Sequence, residues 1–117
     1  MRLRWFLAPL LVAMLSGCQK TLDWSLPNEA LKLERGGQTC TISPSSAQFR
    51  DISHWLAKNP SGWSSSPASY VPAVMLRGSN FSVNFVNSLV VVNYPGGQFT
   101  HEVSPSDYAF LTCSAGT

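Results

Sequence analysis

Charge and reactive chemistry are what this sequence has least of. Only 12% of its 117 residues are charged, and it contains two histidines and three cysteines. The basic residues are dispersed, so no Lys/Arg patch is available to grip phosphates, and nucleic acid is not expected as a partner. There is no C-x-x-C, and His54 and His101 lack the spacing of zinc ligands, so no metal site is expected. The six acidic residues are scattered without a readable carboxylate pair, and G-x-S-x-G, H-E-x-x-H and P-loop patterns are missing. Neither enzyme chemistry nor a dissociable cofactor is called for. Long apolar runs are lacking too: the uncharged stretch Trp5 to Gly17 falls well short of the roughly 20 residues a bilayer-spanning helix needs.

What is present begins at the amino end. Arg2 and Arg4 precede a largely apolar run, Trp5 to Leu15, in the charged-then-apolar order of a secretory signal peptide. Leu15-Ser16-Gly17-Cys18 then resembles the lipobox of bacterial lipoproteins at each of its four positions. The resemblance covers the first eighteen residues; no domain family is recognised beyond them. It implies that residues 1–17 are removed, that the Cys18 thiol carries a diacylglycerol, and that the new amino terminus is acylated as well. Gln19 stands where an aspartate would, in that class, favour retention at the inner membrane. An outer-membrane protein, lipid-anchored and facing the periplasm, is therefore implied. The competing reading is an ordinary cleaved signal peptide with a chance cysteine.

Loss of Arg2 and Arg4 from the eight Lys+Arg leaves six against six Asp+Glu, so the exported chain is formally neutral. Its length suits one small domain. With Cys18 lipidated, Cys40 and Cys113 remain, and an even pair in an exported protein reads as a disulfide, with two buried thiols as the alternative.

Residues 18–29 are polar and irregular around Trp24 and Pro27, as in a lipid-attached tether, and one globular domain is placed at 30–117. Gly36-Gly37 suits a two-residue hairpin turn; pairing Arg35 with Gln38 then sets Leu33 opposite Cys40 and Leu31 opposite Ile42. A short helix from Asn28 to Gly36 competes with that hairpin. Ser43 as N-cap, followed by Pro44, predicts a helix of about four turns ending at Asn59-Pro60, with Phe49, Ile52 and Leu56 on one face and Trp55 at its border. A Ser/Pro-rich loop follows, then a meander with turns at Gly78-Ser79, Asn87-Ser88 and Pro95-Gly96-Gly97. Its expected pairs are Arg77 with Asn80, Leu76 with Phe81 and Tyr94 with Phe99. Ser104, with Asp107 three residues on, predicts a short helix ending near Cys113, a strand being the alternative. The fold class is α+β: a hairpin plus four-strand antiparallel meander, covered on one face by one main helix, with a short C-terminal helix.

His101 falls among the inner apolar positions of the last strand, where it can be a general base served by Tyr94 or a serine, or a satisfied sheet-end histidine. His54, with Asp51 and Lys58 nearby on the helix, belongs to a solvated face. Trp63 and Tyr70, large rings on a polar loop, are candidate partner-binding anchors, unless Trp63 folds back beside Trp55. Together these features describe a lipid-anchored envelope lipoprotein that binds another protein, either as an accessory subunit of an envelope assembly or as an inhibitor or immunity-type protein against a periplasmic toxin or wall hydrolase. A small periplasmic hydrolase using His101 and a purely structural envelope component are the alternatives.

Overall fold

The computed structural model describes residues 20–113; the lipobox and Cys18 lie outside them. In chain order the elements are β1 (Leu31–Arg35), β2 (Gln38–Ile42), α1 (Ala47–Lys58), β3 (Ser64–Ser65), β4 (Val74–Arg77), β5 (Ser82–Val86), β6 (Leu89–Tyr94), β7 (Gly97–Glu102) and a 3-10 turn (Pro105–Tyr108). All seven strands join one antiparallel sheet in the order β2-β1-β4-β5-β6-β7-β3. The α+β class and the meander stand, and the first hairpin docks on the meander through β1 and β4.

The first hairpin has the expected register, Arg35 opposite Gln38 and Leu33 opposite Cys40. Gly36 and Gly37 both have positive φ, 58° and 78°, which supplies the twist such a turn requires. Two later registers differ from expectation by two residues. Arg77 pairs with Ser82 and Leu76 with Val83, while Tyr94 pairs with Gly97 and Val92 with Phe99. A slip of two keeps every side chain on its face, so the apolar pattern alone does not distinguish the alternatives. Packing decides the first case. Phe81 leaves the ladder and folds its ring over Gly78, where any Cβ would overlap it, and Gly78 N–H closes the loop on Phe81 O at 3.0 Å.

Helix α1 begins three residues later than the Ser43-Pro44 signal suggests. Ser46 N–H and its hydroxyl both donate to Ser43 O, at 3.0 and 2.7 Å, so residues 43–46 form a turn. Pro44 sits at the second turn position, which its fixed φ also suits. Ser46 then caps the helix by accepting from Phe49 N–H at 3.2 Å. Phe49, Ile52 and Leu56 are buried as expected, and Gln48 joins them. Because β2 and β3 lie at opposite edges, the β2–α1–β3 connection must cross the whole inner face, which is how one helix covers it.

The inner face carries the core: Leu33, Leu76, Val83, Val90 and Val92 are fully buried, with Trp63 and Leu111 against them. Both ends of the described segment complete it. The tether expected over 18–29 is a correction, because from Lys20 onward the segment packs on the domain. Lys20 and Trp63 exchange backbone hydrogen bonds of 2.7 and 3.0 Å, Leu22 is buried, and Trp24 lies between Phe81 and Tyr94 at 5.2 and 5.5 Å. Three apolar side chains, Leu22, Trp24 and Leu26, have core to cover, and this outweighs the polar average of the stretch.

The C-terminal helix is shorter than expected and stops at Tyr108. Arg35 Nη1 donates to Tyr108 O and Leu111 O, at 3.0 and 2.8 Å, and Gln48 Nε2 donates to Phe110 O and Thr112 O, at 3.0 and 2.9 Å. These side-chain donors from β1 and α1 hold residues 108–112 by their carbonyls in an irregular path. Cys40 and Cys113 are joined, with Cα atoms 5.6 Å apart. Among the described residues no helix is long and apolar enough to cross a membrane.

Candidate binding site

The loop that carries Trp63 and Tyr70 straddles the sheet edge, and this separates the two predicted anchors. Trp63 precedes β3 and points inward. It is completely buried, donates its indole N–H to Asn59 O at 2.7 Å, and meets Trp55 edge-on at 6.3 Å. It is core, so its assignment as a partner anchor is corrected: an amphipathic ring on a polar loop found more apolar surface by folding back. Tyr70 is half-buried on the opposite, outer face.

His101 lies in the same inner corner, 5.0 Å from the Trp63 ring and 5.6 Å from Trp55. Its Nδ1 is 2.6 Å from Glu102 O and its Nε2 is 3.0 Å from Ser61 O. The close approach requires Gly62, whose φ is +85° and whose missing Cβ would stand 3.1 Å from Nε2. Neither expected catalytic partner is hydrogen-bonded to it: Ser61 offers a carbonyl, Ser64 lines the same small pocket without such a bond, and Tyr94 stacks on Trp24 and Phe99. His54 is exposed.

The outer face holds a cleft of its own. β3 and β4 are separated in the sheet by β7, β6 and β5, so residues 66–73 must pass over those strands as a strap. Ser66 N–H donates to Gln98 O at 3.1 Å at one end, and Ala73 N–H to Phe85 O at 2.9 Å at the other. Gln98 staples the strap from below: its amide nitrogen donates to Ser66 O and Ala68 O, at 2.9 and 2.7 Å, and its oxygen accepts from Asn93 at 3.1 Å. Pro67 and Pro72 restrict the strap backbone, which reduces the entropy lost in ordering it.

Beneath the strap is a cleft of about 440 Å³, lined by Ser66, Pro67, Ala68, Ser69, Tyr70, Asn84, Val91, Asn93 and Gln98. Tyr70 and Ser66 share a hydroxyl hydrogen bond of 2.8 Å. Val91 is 1% exposed although it lies on the outer face, because the strap covers it. Asn84 stands opposite Val91 in the ladder. Its Nδ2 donates to Ser82 Oγ at 3.2 Å, while its Oδ1 is buried without a partner among the described residues. Turning the amide over would exchange the two ends and leave the N–H₂ unpaired instead. An orphaned buried group costs about 1–3 kcal/mol, so this carbonyl end is the unmet polar group at the floor of the cleft.

Of these lining residues the sequence singled out only Tyr70. Asparagine is depleted in strands, so Asn84 and Asn93 inside apolar strand patterns were the available signal. No protein-family model matches this chain, and no curated protein or solved structure matches it.

Proposed function

We propose that this protein is an envelope lipoprotein, lipidated at Cys18, held at the outer membrane facing the periplasm, and acting by binding a partner protein. The lipobox sequence supports the anchor, and the Cys40–Cys113 disulfide suits an oxidising compartment outside the cytoplasm. Replacing Cys18 by serine should abolish incorporation of labelled fatty acid and release the protein from membranes. Label incorporated equally by Cys18→Ser would remove the anchor from the proposal.

The observation that carries the binding reading is the β2 edge. In a two-residue hairpin the pair flanking the turn is hydrogen-bonded, so Gln38, Cys40 and Ile42 bond to β1 while the N–H and C=O groups of Thr39 and Thr41 point away from the sheet. Exposed edges are usually blunted by charge, proline or a bulge, and Gln38–Ile42 has none of these. The other edge is only two residues long and is extended by the Lys20–Trp63 bridge. Among the described residues nothing pairs with this edge of β2, which can take an extended segment of a partner protein, added antiparallel as an eighth strand. Accessory-subunit and inhibitor or immunity roles both fit such docking. The hydrolase reading is disfavoured, because both His101 nitrogens face backbone carbonyls and neither is hydrogen-bonded to a hydroxyl among the described residues, although Ser64 and Thr100 line the small pocket beside it.

Thr41→Pro removes an outward N–H without costing a ladder bond to β1. It should weaken partner binding at least about tenfold, read by photocrosslinking from Thr39 in intact cells, while the unfolding midpoint stays close to wild type. A crosslinked band that persists in Thr41→Pro would place the interface elsewhere.

A further inference from the structure

We propose that the cleft beneath the strap binds an uncharged saccharide bearing an acetamido group, with that group seated over Asn84 and Val91. None of the cleft-lining side chains carries a charge, so a charged ligand would be desolvated there without a counter-ion. The cleft offers hydroxyls, amides and one aromatic ring. That combination suits a sugar, whose ring presents an apolar C–H face to an aromatic side chain and hydroxyls around its rim. The volume, about 440 Å³, lies toward the lower end of the range for small-ligand sites and so favours a short saccharide segment.

The acetamido assignment comes from the floor. Asn84 and Val91 are directly opposed in the β5–β6 ladder, so an unpaired buried amide end lies beside a buried isopropyl group. An acetamido group carries the matching pair, an amide N–H and C=O beside a methyl. Asn84 Oδ1 and Val91 are closed off from solvent as they stand, so the ligand reaches them by displacing the strap side chains above them; its N–H then satisfies Asn84 Oδ1, or its C=O the N–H₂ if the side-chain amide is turned, and its methyl rests on Val91. Gln98 is already spent on the strap and holds the site open without being consumed by the ligand. Ser69 and Asn93 remain at the rim for ring hydroxyls. The inference stands apart from the β2 edge, and only the source of the sugar rests on the envelope location.

The test is calorimetry on the full chain in detergent micelles, with tri-N-acetylchitotriose as probe and cellotriose as the matched sugar lacking acetamido groups. Chitotriose should bind saturably at millimolar concentrations or below, and cellotriose at least about tenfold more weakly. Tyr70→Ala and Asn84→Val should each weaken chitotriose at least about tenfold. Asn84→Val replaces a poor strand former and removes the orphan, so its unfolding midpoint should hold or rise, separating lost binding from lost fold. Thr41→Pro should bind chitotriose as wild type does, which keeps this result independent of the strand-edge reading. Co-sedimentation with purified wall sacculi, competed by chitotriose, would assign the source to wall glycan, whereas chitotriose binding without sedimentation would assign it to free saccharide. No saturable chitotriose binding, equal binding of cellotriose, or unchanged binding in both cleft variants would overturn the proposal.

Discussion

Trp63→Ala should remove most of the protein's stability. The side chain is fully enclosed, and deleting a buried tryptophan to alanine costs about 3–5 kcal/mol because the surrounding groups collapse only in part. Asn59 O also loses the indole donor, a further cost of about 1 kcal/mol. Against a total of roughly 5–15 kcal/mol this leaves little, and at about 4–8 °C per kcal/mol the thermal midpoint should fall by about 15–50 °C. The loss reaches three elements at once, since the ring supports Trp55 on α1, His101 on β7 and the backbone pairing with Lys20. Trp63→Phe keeps an aromatic ring and forfeits the Asn59 bond, so it should fall between wild type and alanine. Thermal unfolding followed by circular dichroism measures all three. An unchanged midpoint in Trp63→Ala would mean that this corner is not packed as described.

The reversal of Trp63 from interface to core shows where sequence reasoning stops. Period-two alternation gave the face of the residues in the expected strands correctly, including Cys40 and His101, because a side chain has only two faces to choose between, while β3 at Ser64–Ser65 was read as loop. The same argument is blind to a slip of two, and both register errors, at Gly78 and Pro95, are of that kind. What resolved the first was Phe81 lying over Gly78, a contact with no signature in alternation. Cap chemistry was legible at Ser104, where Asp107 receives the backbone N–H at 3.1 Å, and was misplaced at Ser43 because Ser46 offers the same hydroxyl three residues later. The strap was invisible for a different reason. Its role depends on strand order, and nothing local in "SPASYVPA" says that its two ends belong to strands with three others between them.

Breaking the Cys40–Cys113 bond should have the other large effect, and its mechanism can be separated from simple loss of contacts. Joining residues 73 apart in sequence restricts the unfolded chain by about 4 kcal/mol in the chain-entropy account, enough to lower the thermal midpoint by about 15–30 °C in the Cys40→Ala/Cys113→Ala double variant. The folded state has its own hold on the same segment. Arg35 and Gln48 grip four carbonyls between Tyr108 and Thr112, Tyr108 stacks on Phe85 at 4.6 Å, and its hydroxyl donates to Asn87 O at 2.7 Å. If the cross-link acts through the unfolded chain, that grip survives its loss. Arg35→Met, which removes the donor to Leu111 O and leaves Tyr108 O with only the Leu111 N–H, should then cost about 1–3 kcal/mol equally with and without the disulfide. If instead the disulfide is what keeps the segment seated, Arg35→Met should cost much less in the double-alanine background, because the contacts would already be lost. Denaturant unfolding of the four proteins gives the coupling directly. The hydrogen bonds on both sides of the segment predict a coupling near zero and a C-terminal plug that stays in place after reduction.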